Sequence, residues 1–183
     1  MLTITIPKRE LYDRKKREFV QVKGQTLQLE HSLVSLSKWD SKWCKSYFSK
    51  EQKTYEETID YIKCMTITQN VDPNVYYAIT KENIDDINRY IDSPMTATTF
   101  SGSSESKGRL NGQRITADLI YYWMVTLNIW KECEKWHLNR LITLIRVCNE
   151  MNNRPSKKKN AHQTAKDYAA LNAMRRKKFN TKG

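Results

Sequence analysis

The sequence predicts an α+β protein, mainly α, with a small N-terminal antiparallel sheet on a helical body and a basic C-terminal tail. Three observations carry this. Apolar residues alternate with period two in the first 30 residues and then recur at helical spacing. Glycine is scarce, five in 183 residues, and three of the five fall in one stretch, 101–112. Charge is uneven: residues 1–150 hold 22 Lys/Arg against 19 Asp/Glu, whereas residues 151–183 hold 10 against one, Asp167. The body, 1–153, therefore reads as an ordinary surface of mixed charge with no evident basic face. The tail, 154–183, is a separate basic object.

The elements follow in order. "LTITI" alternates from Leu2 to Ile6, and "EFVQV" places Phe19, Val20 and Val22 in a second strand. The polar "PKRELYDRKKR" between them is expected to be a hairpin connection. "GQTLQLEH" alternates again through Leu27 and Leu29. From Leu33 the period lengthens, and Leu36, Asp40 and Trp43 fit one helical face. In "SKEQKTYEETIDYIKCM", Ser49 with Gln52 three residues on fits a capping box, and Tyr55, Ile59 and Ile62 make a stripe. "DPNVYYAI" puts Asp72 at an N-cap with Pro73 at the first helical position. "TKENIDDINRYID" starts at Thr80, buries Ile84, Ile87 and Ile91, and stops before Pro94. "SGSSESKGRLNG", Ser101 to Gly112, is an exposed loop. A helix resumes near Thr116 with "ADLIYYWMVTL", and the longest runs from about Lys131 to Glu150. The tail contains one helical segment, Ala161 to Lys178, capped by Asn160.

Composition bounds the function. Hydrophobic residues make up 39% and mean hydropathy is −0.76, so the chain can form a core while remaining polar outside. No run approaches the ~20 apolar residues of a membrane helix. "MLTITIPKRE" has no basic stretch followed by an apolar one, so no secretory leader is expected. Cys44, Cys64, Cys133 and Cys148 form no C-x-x-C and read as reduced cytosolic thiols.

The chemistry-bearing stretch is "KWHLNRLITLIRVC" with Cys133 upstream. On one continuous helix Cys133, His137, Leu141, Leu144 and Cys148 would share a face. A zinc site would draw Cys133 and His137 as two ligands, but Cys148 would lie about 16 Å from His137 along the axis. A Cys–His nucleophile pair would lack an oxyanion hole, because mid-helix backbone N–H groups are already bonded. Packing outweighs both: free Cys behaves as a small hydrophobe, and Trp136, Leu138, Ile142 and Ile145 widen the apolar surface. Neither G-x-x-x-x-G-K-[ST] nor G-x-G-x-x-G occurs. The adjacent pairs Asp85–Asp86 and Glu56–Glu57 read as solvated carboxylates on helix surfaces. No catalytic, metal or cofactor-binding residue is assigned, and an enzyme is not expected.

Two segments remain as candidate binding surfaces. Trp123, Trp130 and Trp136, with Tyr121 and Tyr122, exceed what one core needs. Consecutive helical residues point about 100° apart, so Tyr121, Tyr122 and Trp123 cannot all face one core. In the tail, Lys157, Lys158, Lys159, Arg175, Arg176, Lys177 and Lys178 are set for an acidic protein or for non-specific phosphate binding. The residues do not separate these two partners.

The strings "TLQLEHSLVSLSKWDSKW", "YIKCMTITQNVDPNVY", "SPMTATTF", "IYYWM", "KWHLNRLITLIRVCN" and "LNAMRRKKFNTKG", in that order, resemble a family of small proteins from the structural-gene clusters of tailed bacteriophages. The similarity covers nearly the whole chain except the glycine-rich loop and the start of the tail. The chain departs from the family in "NIWKECEKW", where a proline-containing turn is more usual, and in "SKKKNAHQTAKDY". The resemblance implies a non-enzymatic tail assembly chaperone of the host cytoplasm. Such proteins coat the tape measure while the tail tube polymerises. It implies the tape measure or tail tube protein as partner, with self-association and a weak nucleic-acid contact through the tail as further possibilities. The alternative is a nucleic-acid-binding phage accessory protein acting through that tail. The family supplies no catalytic residues.

Overall fold

The computed structural model describes residues 1–13, 17–100, 109–110, 113–152 and 161–179. It is mainly helical with antiparallel strands at the N-terminus, the α+β arrangement expected. It divides into two compact units, residues 1–148 and 149–183.

β1 (Leu2–Ile6) and β4 (Gln25–Leu29) pair antiparallel, with Ile4 opposite Leu27. Period two puts Ile4, Ile6, Leu27 and Leu29 into the core and turns Thr3, Thr5, Thr26 and Gln28 outward. β2 (Arg9–Asp13) and β3 (Glu18–Val22) form a second ribbon, with Tyr12 opposite Phe19. The expected connection between Ile6 and Glu18 thus contains a strand of its own. β3 pairs with that strand rather than with β1, because Leu11 and Val20 oppose each other on one side. Gly24 sits at the junction of the two ribbons, where a Cβ would come within 3.0 Å of the Lys8 backbone nitrogen. The outer edge of β4 is occupied by the chain leaving α2. Ile67 N–H donates to the Gln28 carbonyl at 2.8 Å and Glu30 N–H to the Met65 carbonyl at 2.9 Å.

α1 (Leu33–Trp43) opens on a Ser32–Ser35 capping box. Its buried face is Leu33, Ser35, Leu36 and Trp39, one step away from the expected Asp40 and Trp43. α2 (Tyr55–Met65) starts five residues later than "SKEQ" suggests, with its N-cap at Thr54 rather than Ser49. Its capping box is Thr54 with Glu57, not Ser49 with Gln52, because only Glu57 reaches back to the Thr54 N–H, at 2.7 Å. Tyr55 is exposed, while Ile59, Tyr61, Ile62 and Met65 are buried. Asp72 and Pro73 do open a helix, but a 3-10 one, Pro73–Ala78. α3 (Lys81–Asp92) is capped by Thr80 and buries Ile87 and Tyr90, leaving Ile84 and Ile91 half-buried.

Residues 101–108 and 111–112 of the glycine-rich segment lie outside the described residues. Its described remainder, β5 (Arg109–Leu110), pairs with β6 (Gln113–Arg114). α4 (Ala117–Thr126) follows, then a 3-10 helix (Lys131–Lys135) and α5 (Leu138–Asn152). The core gathers Leu27, Leu29, Leu33, Leu36, Trp39, Ile62, Met65, Ile120, Leu138 and Leu141, all buried.

In the second unit α6 (Ala161–Phe179) is helical over the expected span, and its described side chains, 165–179, are all exposed. Asn160 and Lys157, Lys158 and Lys159 lie outside the described residues.

Candidate partner-binding surface

The long helix expected from Lys131 to Glu150 is two pieces. The 3-10 helix ends at Lys135, Trp136 turns extended with ψ 162°, and α5 begins only at Leu138. His137 is held at the break by bonding to another strand end. It bridges Ser32, and Leu138 N–H donates to the His31 carbonyl at 2.7 Å. Cys133 and His137 are therefore not one turn apart on a helix, and the shared face on which a two-ligand site would depend does not form.

Both residues are buried. Burial, then the neighbouring Glu132, pushes the Cys133 thiol upward, away from the thiolate that a nucleophile or metal ligand needs. His137 Nε2 donates to the Tyr90 carbonyl at 3.0 Å, and Nδ1 accepts from Asn139 N–H at 3.3 Å. One neutral tautomer satisfies both bonds. Among the described residues no group of three or more His, Cys, Asp or Glu side chains is placed to hold a metal ion. Cys133→Ala is expected to leave partner binding unchanged. A stoichiometric zinc signal in purified protein, lost on that substitution, would contradict this.

The expected pair of solvated carboxylates at Glu56–Glu57 is also different. Glu57 is buried, and its Oε1 accepts from Lys45 Nζ at 2.9 Å. That bond, with the Thr54 N–H, holds its carboxyl below the usual range.

The aromatic cluster is built by α4 and the turn after it. Ala117, Ile120 and Met124 recur at i, i+3 and i+7 and face the core. Tyr121 and Trp123 flank that stripe, half-buried. Tyr122 and Val125 point away from it, 63% and 76% exposed. The helix ends in a left-handed residue, Asn128 at φ 52°. Ile129 N–H reaches back to the Met124 carbonyl at 2.8 Å and Asn128 N–H to the Val125 carbonyl at 3.2 Å. These two bonds make a Schellman turn, tolerated by Asn because its side chain accepts the left-handed region. The turn delivers Trp130 to the start of the 3-10 helix, where it is 78% exposed.

The supporting contacts fix this geometry. Tyr121 Oη donates to Glu134 Oε2 at 3.1 Å, tying α4 to the 3-10 helix. Burial and then Glu134 push the Tyr121 hydroxyl up to about 12. Trp136, half-buried, carries the Arg140 guanidinium over its ring at 4.1 Å. The five aromatics singled out by sequence thus divide. Trp130 and Tyr122 are surface groups, and Tyr121, Trp123 and Trp136 pack half-buried against the core. Val125, the third exposed apolar residue, was missed because a lone valine on a helix gives no periodic signal. On α6, Arg175, Arg176, Lys177 and Lys178 are exposed, as are Tyr168, Leu171 and Met174.

No protein-family model, curated protein or solved structure matches this chain. Among the described residues no helix is long and apolar enough to cross a membrane.

Proposed function

We propose that this protein is a non-enzymatic tail assembly chaperone of a tailed phage. In this reading it acts in the host cytoplasm and binds the tape measure or tail tube protein through the outer face of α4 and the turn to Trp130. One observation carries the reading: a tryptophan 78% exposed on a structured turn, with Tyr122 and Val125 exposed on the preceding helix. Tyr122 and Val125 lie one turn apart on the exposed face of α4, and apolar side chains gathered on a surface mark interaction sites. Trp and Tyr are the side chains in which binding energy concentrates. The sequence resemblance supplies the partner class, a long helix with repeated apolar positions, and an apolar surface suits such a helix.

Trp130→Ala is expected to weaken association by about tenfold or more. Because the side chain is exposed, unfolding free energy should change by only about 0.5 kcal/mol. The test is co-expression with the long coiled-coil-forming structural protein, pull-down, and titration of the purified pair, beside urea unfolding of the variant alone. Binding of Trp130→Ala and Tyr122→Ala at the parent's strength would remove this surface from the interaction.

A further inference from the structure

The balanced charge of residues 1–150 is an average over two unlike parts. Residues 8–23, the sequence segment that contains β2 and β3, carry seven Lys/Arg against three Asp/Glu, and three of the seven, Arg14, Lys15 and Lys16, lie outside the described residues. The remainder of 1–150 carries 15 against 16. The whole positive excess of 1–150 therefore falls in the sequence segment 8–23.

The ribbon has two unlike faces. Val22 is fully buried, and Leu11 and Val20 are half-buried on the same side, which turns toward the 3-10 helix at Pro73–Ala78. The opposite side presents Tyr12 and Phe19, directly paired across the strands with ring centroids 5.1 Å apart. They are 52% and 68% exposed. Glu10 and Gln21 share that face. Exposed cations bracket the ring pair along the ribbon: Lys8 and Lys23 at its base, and Arg17, held at φ 56°, toward its tip; Arg9, opposite Val22, belongs to the other face.

We propose that this ribbon binds single-stranded nucleic acid, the two rings stacking on unpaired bases while the bracketing cations meet the flanking phosphates. The combination selects the ligand. Cations alone would suit any polyanion. An exposed ring pair adds π-faces on which bases can stack irrespective of sequence. A duplex withholds its bases from such rings because they are already stacked on each other. Carboxylate side chains have no broad aromatic face to stack on them, as every base does. The proposal is independent of the chaperone reading, since it uses a different element and a different ligand.

The test is fluorescence anisotropy of the full chain with a labelled ~15-nucleotide oligothymidylate, the same-length oligouridylate and a same-length duplex, at low and moderate salt. The parent is expected to bind both single strands more tightly than the duplex. Tyr12→Ser with Phe19→Ser should weaken single-strand binding by about tenfold or more. It should leave the salt dependence unchanged, since no phosphate contact is lost. Phe19→Tyr, which keeps the π-face, should bind as the parent does. Arg17→Gln should instead reduce the salt slope by about 0.7. Circular dichroism melts of each variant show whether the fold persists. Three results would overturn the proposal: no single-strand binding even at low salt, equal competition by polyglutamate, or binding that ignores the ring substitutions and disappears with Arg175→Gln and Arg176→Gln in α6.

Discussion

Trp39→Ala is expected to lower the unfolding free energy by about 3–5 kcal/mol, the range for a large core aromatic. Trp39 is 1% exposed and meets Tyr47 and Tyr61 edge-on at 5.4 and 6.4 Å between centroids. Its Nε1 donates to the Glu57 carbonyl at 2.9 Å, so the ring joins α1 to the first turn of α2. Alanine would leave a cavity at this junction, and the surrounding helices would relax only partly. Trp39→Phe keeps an apolar ring but removes the donor, and should cost less, roughly 1–2 kcal/mol. Urea unfolding followed by circular dichroism measures both. A Trp39→Ala protein within about 1 kcal/mol of the parent would mean that α1 and α2 are not held together here.

The second large effect is with pH. His31 and His137 are both buried, with ring centroids 5.2 Å apart. His31 Nδ1 lies 2.6 Å from the Tyr61 hydroxyl. Burial, and then the neighbouring His137, lowers His31 from 6.5 to about 3. Burial also lowers His137, against the Tyr90 carbonyl and Glu30, which raise it. A depressed histidine stabilises the fold while it is neutral in both states, above about pH 6.5. As pH falls from 6.5 toward 3, the unfolded chain binds a proton that the folded chain refuses, and stability drops. His31 alone contributes a slope of up to about 1.4 kcal/mol per pH unit, and about 4 to 5 kcal/mol over the whole window. Unfolding at pH 7, 6, 5 and 4 should therefore show a steep loss already between pH 6 and 5, above the range where most carboxylates titrate. His31→Asn should be less stable at pH 7 and flatter with pH. An equal slope in parent and variant would show that His31 is not the group responsible.

The same two histidines show how helical spacing predicts one continuous helix through "KWHLNRLITLIRVC" where the fold makes two pieces. Apolar residues from Trp136 to Ile145 satisfy helical spacing, and spacing is all that a single chain displays. The break at Trp136 comes from elsewhere: Ser32 and the His31 carbonyl, a hundred residues away in sequence, bond the chain at His137 and Leu138. A helix can be interrupted by a hydrogen-bond partner that its own residues do not announce. β2 was hidden for a related reason. "RELYD" alternates only weakly, and its pairing with "EFVQV" becomes evident once the register is known.

Features set by neighbours in sequence were legible without the fold. The alternation of Leu2–Ile6 and Leu27–Leu29, the Thr80 cap, the Asp72–Pro73 start and the helix after Thr116 are all local hydrogen-bond or side-chain-periodicity effects. They act within about four residues. The excess of aromatics around Trp123 and Trp130 was legible too, as was the geometric conflict among Tyr121, Tyr122 and Trp123. Only the tertiary structure decided that Trp130 and Tyr122 face outward, that Trp39 and not Trp43 fills the core, and that Glu57 is buried beside Lys45. It also decided that Tyr12 and Phe19 meet on an exposed ribbon. The reason is that burial is a property of contacts between distant segments. A residue's type sets what it gains by being covered, but which segment covers it depends on how the whole chain packs.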